Sequence, residues 1–179
     1  MTRLIIVEGP DCSGKTTLAK ALANGLNYNY VHMSGAPALH SAMAEYHAAT
    51  LHSIEWTVGN VYGSGCVMDR SWPSEHVYGR LFRPHLVSRF PFIQQIDKIK
   101  TLRGIYIMCD SEEIVGLHNK EPDPSHHYDD GLFAAIVYEY RNLTTIMMMD
   151  GLPVIQYDRA KHLPQDFAKQ VIKQCAANP

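Results

Sequence analysis

The chain has 179 residues, of which 46% are hydrophobic and 19% are charged, and its formal net charge is -2 at pH 7. This composition predicts one globular domain over residues 1–179, large enough to bury a core of its own. Because the 18 acidic residues slightly outnumber the 16 basic ones, a nucleic-acid polymer is not an expected partner. The apolar runs are too short to span a bilayer, so we expect a cytoplasmic protein without membrane contact. The four cysteines show neither zinc-site nor disulfide spacing.

Short apolar runs alternate with longer amphipathic segments along the chain, which is the pattern of an α/β protein. Strands are predicted at residues 4–7, 28–32, 65–69, 104–110 and 154–157. Helices are predicted at residues 17–23, 39–59, 74–82, 92–102, 130–149 and 165–176, and a further helix is expected to open at Ser111 with Glu112 and Glu113 in its first turn. Together these elements predict a three-layer fold, in which helices cover both faces of a five-stranded parallel sheet and ligands bind at the carboxyl ends of its strands.

Two segments between these elements carry strong breaker residues. The first helix is expected to stop at Asn24-Gly25, since glycine favours helix ends. Residues 120–127, KEPDPSHH, contain two prolines and few apolar side chains, so they predict a mobile surface loop.

The most specific motif occupies residues 9–16, GPDCSGKT, and fits the phosphate-binding pattern G-x-x-x-x-G-K-[ST] between a predicted strand and a predicted helix. Glycines let the backbone N–H groups turn toward phosphates, and the helix N-terminus adds partial positive charge there. We therefore predict binding of ATP with Mg²⁺, in which Lys15 bridges the β- and γ-phosphates and the Thr16 hydroxyl ligates the metal. The residues assigned to ATP in and beside this loop are Gly9, Cys12, Ser13, Gly14, Lys15, Thr16 and Thr17.

A second candidate site, Asp69-Arg70, ends the third predicted strand. A carboxylate facing the phosphate loop can hold Mg²⁺ directly or through water, and a guanidinium presents a planar fork that suits a phosphate. Phosphoryl transfer depends mainly on positioning and charge neutralisation, so Lys15, Asp69 and Arg70 are the predicted catalytic residues, with Asp69 also a metal ligand. Trp72 follows closely and is either a wall of the acceptor pocket or part of a packed turn.

These motifs resemble those of a known family. Residues 8–17, EGPDCSGKTT, are similar to the variant E-G-x-D-x-x-G-K-[ST]-T of the phosphate loop in thymidylate kinases, and Asp69-Arg70 resembles their D-R-[YH] motif. The resemblance implies a P-loop kinase fold with a short lid at about residues 118–129. It also implies phosphorylation of a deoxynucleoside monophosphate by ATP, with a dTMP-like acceptor first, and by analogy a homodimer.

The same resemblance implies roles for individual side chains. Asp11 would contact the 3′-hydroxyl of the acceptor's deoxyribose, and Arg70 would bind the acceptor phosphate. Arg159 lies in the segment that corresponds to the adenine-binding loop, where it can lie against the adenine face. In the long second helix, Trp56 is the candidate to stack on the acceptor base.

The chain departs from the family where arginines are expected. No arginine follows the second strand, where residues 32–37 read HMSGAP. The catalytic arginine is missing from the phosphate loop, where Cys12 stands, and from the lid, which offers only Lys120. The candidates to replace it are Arg80, Arg83 and Arg141, of which Arg80 is assigned to the substrate site.

Two other classes of function remain open at this point. A deoxynucleoside kinase phosphorylates a 5′-hydroxyl and needs a base, for which Asp69 is available although residues 34–37 carry no charge. A phosphate acceptor is already ionised and needs no base, which favours the monophosphate kinase. A non-catalytic switch protein such as a GTPase needs D-x-x-G and N-K-x-D, and the candidate segments DRSW (69–72) and NKEP (119–122) match neither.

Overall fold

The computed structural model describes residues 4–33, 49, 52, 65–84, 92–120 and 129–177. Five parallel strands form one sheet in the order β2-β3-β1-β4-β5. Their bounds are Leu4–Glu8 (β1), Asn29–His32 (β2), Cys66–Asp69 (β3), Ile105–Asp110 (β4) and Val154–Asp158 (β5). The predicted five-stranded parallel sheet is confirmed.

Helices cover both faces of this sheet, which confirms the three-layer arrangement. Their bounds are Lys15–Leu26 (α1), Trp72–Phe82 (α2), Phe92–Thr101 (α3), Ile114–Lys120 (α4), Asp130–Met149 (α5) and Pro164–Ala177 (α6). Side chains of β1 alternate between the two cores: Leu4 and Ile6 pack with α2, α3 and α5, whereas Ile5 and Val7 pack with α1 and α6. None of the helices in the described ranges is long and apolar enough to cross a membrane.

The strand order places the candidate site. β1 lies at the centre, with β3 on one side and β4 on the other, so the connection after β1 runs toward one edge of the sheet and the connection after β3 runs toward the other. In register, Val7 pairs with Asp69, and His32 pairs with Asp69 from the other side of β3. The carboxyl ends of β1, β2 and β3 therefore meet beside the loop that follows β1, as expected for an open α/β sheet.

Several element boundaries differ from the prediction. α1 continues through Gly25 and ends at Leu26, because Asn27 takes the left-handed conformation (φ 55°) and its N–H caps the last turn. The helix expected at Ser111 begins only at Ile114, so Glu112 and Glu113 lie in the preceding turn.

The segment assigned to the lid is partly helical. Residues 118–120 belong to α4, and His118 is buried (4% exposed) with its ring stacked on Phe133 at 3.9 Å between centroids. Asp129 caps the start of α5 by accepting a hydrogen bond from the Leu132 N–H. Residues 121–128 lie outside the described residues, as does most of the predicted helix 39–59, of which residues 49 and 52 are helical.

Candidate functional site

The phosphate loop follows directly from a fully buried strand and leads into α1. Gly9 has φ 147°, and a Cβ atom there would collide with the carbonyl oxygen of Cys109, so a glycine is required. Gly14 (φ 80°) is the residue before α1, and Cys12 also has positive φ (60°). The loop therefore has three residues at positive φ and runs directly into the N-terminus of α1, and its binding of phosphates stays a prediction.

Lys15 is held inside this loop. Its Nζ donates to the Pro10 carbonyl oxygen (3.2 Å) and to Asp11 Oδ1 (3.1 Å), and the residue is only 6% exposed. Burial lowers the pKa of Lys15, the nearby Arg70 lowers it further, and Asp11 opposes both. Asp11 is therefore the largest of the contributions that favour the charged form of Lys15.

Arg70 meets the same carboxylate oxygen from the opposite side. Its Nη2 donates to Asp11 Oδ1, and its guanidinium carbon lies 5.3 Å from the centroid of the Tyr78 ring. Burial alone would lower the pKa of Arg70, but Tyr78, Tyr140 and Asp11 together raise it well above its ordinary value. Arg70 thus presents a permanent positive charge to the phosphate loop. In this structure Asp11 binds the cations Lys15 and Arg70, and the predicted contact of Asp11 with the sugar of the acceptor stays a prediction.

Asp69 is fully buried at the end of β3 and collects hydrogen bonds on one oxygen. Its Oδ2 accepts from Thr16 Oγ1 (2.6 Å) and from the Tyr30 hydroxyl (2.9 Å), and it lies 3.0 Å from His32 Nδ1. Within the described part of the chain, its Oδ1 is buried without a hydrogen-bond partner. Thr16 and Asp69 thus bring a hydroxyl and a carboxylate together, the hard oxygen ligands that suit Mg²⁺.

Arg159 lies against the phosphate loop from the end of β5. Its Nη1 donates to the Cys12 carbonyl oxygen at 2.7 Å, and its aliphatic part lies beside Gly14. Arg159 is therefore close to the loop assigned to ATP, while its predicted contact with adenine stays a prediction.

Other predicted site residues lie apart from this cluster or beyond the described ranges. Trp72 is the first residue of α2 and is buried in the core, where its indole N–H donates to the Tyr106 hydroxyl at 3.0 Å, so it packs against the sheet in this structure. Arg80 is half-exposed and pairs with Glu139 at 3.4 Å on the outer surface. Thr17 is exposed on α1, and Trp56 lies outside the described residues.

The two other arginine candidates hold carboxylates of their own. Arg83 donates to Glu75 at 2.6 Å. Arg141 binds Asp110, the last residue of β4, through Nε (2.7 Å) and Nη2 (3.1 Å). Of the arginines considered for catalysis, Arg70 is the one that the structure brings to Lys15 and Asp11.

Sequence reasoning missed four residues that shape the site: Glu8, Tyr30, His32 and Tyr78. Tyr30 and His32 are two residues apart in β2, and both contact Asp69. Because residues two apart in a strand lie on the same face, the sequence could have indicated that these two polar side chains share a site. The pairing of β1 with β3 brings Glu8 to the turn that carries Arg70, and the packing of α2 on the sheet brings Tyr78 to the Arg70 side chain.

Comparison with known proteins bears on this architecture. A family model described as "ATPase family associated with various cellular activities (AAA)" matches residues 5–61. A comparison with curated proteins finds no match. YorR from Bacillus subtilis, solved in complex with phosphorylated GDP, is similar over 98% of this chain and 96% of its own, with 22% identity and a TM-score of 0.73.

Two kinases also share the fold. Deoxyadenosine kinase from M. mycoides, solved with dCMP and dCDP, is similar over 98% of this chain and 100% of its own (11% identity, TM-score 0.62). Thymidylate kinase from Ehrlichia chaffeensis is similar over 98% of each chain (16% identity, TM-score 0.50). These likenesses confirm that the chain has the α/β fold of P-loop kinases.

Proposed function

We propose that this chain transfers a phosphoryl group from ATP to a deoxynucleoside monophosphate, with a dTMP-like nucleotide as the first acceptor to test. The observation that carries the proposal is the convergence of Lys15 and Arg70 on one oxygen of Asp11. Lys15 belongs to the loop for the triphosphate, whereas Arg70 comes from another strand and is not part of that loop. Two cations from different parts of the chain that bind at one point suit a reaction in which a donor phosphate and an acceptor phosphate must be held next to each other.

Charge neutralisation is the main task that these residues would perform. Phosphoryl transfer places several negative oxygens side by side, and preorganised cations stabilise them without reorganising during the reaction. Lys15, oriented by Asp11, would bind the donor phosphates, and Arg70, oriented by Asp11 and Tyr78, would bind the acceptor phosphate. Bound Mg²⁺, held by Thr16 and Asp69, would supply further positive charge to the donor phosphates.

An acceptor that is itself a phosphate fits these contacts. It is ionised at neutral pH, so the reaction needs a cation to hold it and no base to activate it. Arg70 supplies that cation with a side chain that is 17% exposed. The names of the structural neighbours, a thymidylate kinase among them, support a nucleotide substrate.

An assay of ADP release tests the proposal directly. ATP turnover is measured with each common deoxynucleoside and nucleoside monophosphate, and with the matching nucleosides as controls. We expect a monophosphate to accelerate turnover by at least about 10³-fold over ATP alone, as for a typical kinase. Binding of ATP without acceleration by any monophosphate would reject the proposal.

A second candidate function is supported by the contact between His32 and Asp69. A deoxynucleoside kinase must accept a proton from a 5′-hydroxyl, and here an imidazole and a buried carboxylate meet at 3.0 Å at the ends of β2 and β3. The deoxyadenosine kinase among the neighbours supports this alternative. The same assay separates the two functions, because acceleration by nucleosides and not by monophosphates would favour the hydroxyl acceptor.

A further inference from the structure

Glu8 is a buried carboxylic acid that stands directly before the phosphate loop but does not face it. It is 0% exposed, and along β1 it follows Leu4 and Ile6 on the side of the sheet that α2 and α5 cover. Burying a carboxylate costs free energy that an apolar side chain at this position would not cost. Burial raises the pKa of Glu8 to about 7, against the opposing effects of Ser74, Arg70, Ser71 and Lys15.

Both carboxylate oxygens of Glu8 bind the turn that carries Arg70. Oε1 accepts from the backbone N–H of Ser71, and Oε2 accepts from Ser74 Oγ at 2.7 Å. Ser74 Oγ in turn lies 2.9 Å from the Tyr140 hydroxyl, so the same contacts reach α5. The hydrogen bonds of Glu8 therefore join the end of β1, the start of α2 and the middle of α5 around one turn.

The turn needs such support because its backbone is strained. Arg70 has φ 74°, a left-handed conformation that costs a non-glycine residue of order 1 kcal/mol. Consecutive residues of β1 hold consecutive N–H groups of this turn: the Val7 carbonyl accepts from Arg70 N (3.0 Å), and Glu8 accepts from Ser71 N. The conformation that they hold directs the Arg70 side chain over Tyr78 and onto Asp11.

We propose that Glu8 is a positioning residue for the acceptor phosphate, acting through the Ser71 N–H and Ser74 to keep Arg70 aimed at the phosphate loop. This inference rests on the proposed function, since it assigns the acceptor to Arg70. It differs from a purely structural role in its consequence: loss of Glu8 weakens acceptor binding and leaves ATP binding intact, because Lys15 and Thr16 make no hydrogen bond to Glu8 among the described residues.

The variants separate hydrogen bonding from packing. Glu8→Met keeps the size of the side chain and removes both acceptor oxygens. Glu8→Gln keeps a carbonyl oxygen that can accept from the Ser71 N–H, and its amide N–H can donate to Ser74 Oγ. Ile6→Ala is the matched control, since Ile6 lies on the same side of the same strand, is equally buried and belongs to the apolar core. Ser74→Ala removes the second anchor without changing β1.

The expected results concern the two Michaelis constants. Glu8→Met raises the KM for the acceptor by about tenfold, which corresponds to the loss of one hydrogen bond, and changes the KM for ATP less than about twofold. Glu8→Gln stays within about threefold of the wild type, and Ser74→Ala falls between them. Ile6→Ala lowers Tm and moves neither constant. Should Glu8→Met not fold, Ser74→Ala carries the test, and an unchanged acceptor KM in that variant overturns the proposal.

Hydrogen exchange supplies a readout that does not need activity. In the ligand-free protein, Glu8→Met should speed exchange of the segment 69–75 by at least about tenfold relative to Ile6→Ala, because the Ser71 N–H loses its acceptor. If the wild type phosphorylates no monophosphate, the proposed function fails while exchange still tests the anchor. If the wild type is active but Glu8→Met changes neither exchange nor the acceptor KM, the role of Glu8 is wrong and the proposed function stands.

Discussion

Asp11, in the loop after β1, accepts a hydrogen bond from Arg70, in the turn after β3. Lys15 binds the same carboxylate oxygen at 3.1 Å, so one negative charge holds two positive ones in a nearly buried space. Under the proposed function, phosphate oxygens of the two nucleotides would compete with this carboxylate for Lys15 and Arg70. The shared contact explains why an acidic residue is compatible with an anion-binding loop, since its charge offsets repulsion between Lys15 and Arg70.

Substitution of Asp11 should therefore destabilise the ligand-free protein. Asp11→Asn leaves two buried cations without their shared counter-charge, which should lower the free energy of unfolding by about 2 kcal/mol. ATP brings negative charge to the same place, so it should raise the Tm of the variant more than that of the wild type. Thermal unfolding with and without ATP measures both effects. Equal Tm shifts on ATP addition in the two proteins would contradict this account of Asp11.

Two arginines should differ in the substrate that they affect. Arg70→Ala is expected to raise the KM for the acceptor by at least about tenfold with little change for ATP, because Arg70 stands outside the phosphate loop. Arg159→Ala should do the reverse, since Arg159 binds the Cys12 carbonyl and packs beside Gly14. Each variant loses one guanidinium group. Steady-state kinetics with each substrate varied in turn gives the KM for the acceptor and the KM for ATP in both variants. Identical changes in both constants for the two variants would show that neither arginine is specific to one substrate.

Much of the fold and part of the site were predictable from local patterns. The glycines of the phosphate loop and the apolar run before it report backbone requirements that a few neighbouring residues determine. The approach of Asp69 to Thr16 was also predictable, because carboxyl ends of parallel strands share one edge of the sheet.

Side-chain partners across the sheet were not predictable in the same way. The burial of Trp72 against Tyr106 and the contacts of Glu8 with Ser71 and Ser74 depend on how α2 lies on β1 and β4. The sequence periodicity reports which face a residue takes but not the residue that it meets there. The start of α4 at Ile114 was also missed. Glu112 and Glu113 favour the first turn of a helix, but in this structure they lie in the turn before α4.

The buried acid Glu8 should make stability depend on pH. Its pKa in the folded protein, about 7, lies above the ordinary value of 4.5, so the folded state binds the proton more tightly than the unfolded chain. Its contribution to stability is therefore full below pH 4.5 and is lost as the pH rises through 7. Between pH 5 and pH 8 the wild type should lose about 2.5 kcal/mol relative to Glu8→Gln, which does not titrate. Urea unfolding of both proteins across this range measures the difference, and parallel pH profiles would contradict the raised pKa.

The proposed metal site can be tested by removing single hydroxyls that share one partner. Thr16 and Tyr30 both donate to Asp69 Oδ2, at 2.6 and 2.9 Å, but only Thr16 belongs to the phosphate loop. Thr16→Val keeps the shape of the side chain and removes a metal ligand, so kcat should fall by at least about 10²-fold and the Mg²⁺ concentration for half-maximal activity should rise. Tyr30→Phe removes one hydrogen bond to the same carboxylate and should change kcat less than about fivefold, since Thr16 still supports Asp69. Activity measured against Mg²⁺ concentration, with EDTA as the zero point, compares the two variants. An equal loss in both would mean that Thr16 acts only by orienting Asp69, and activity that survives EDTA would remove the metal from the mechanism.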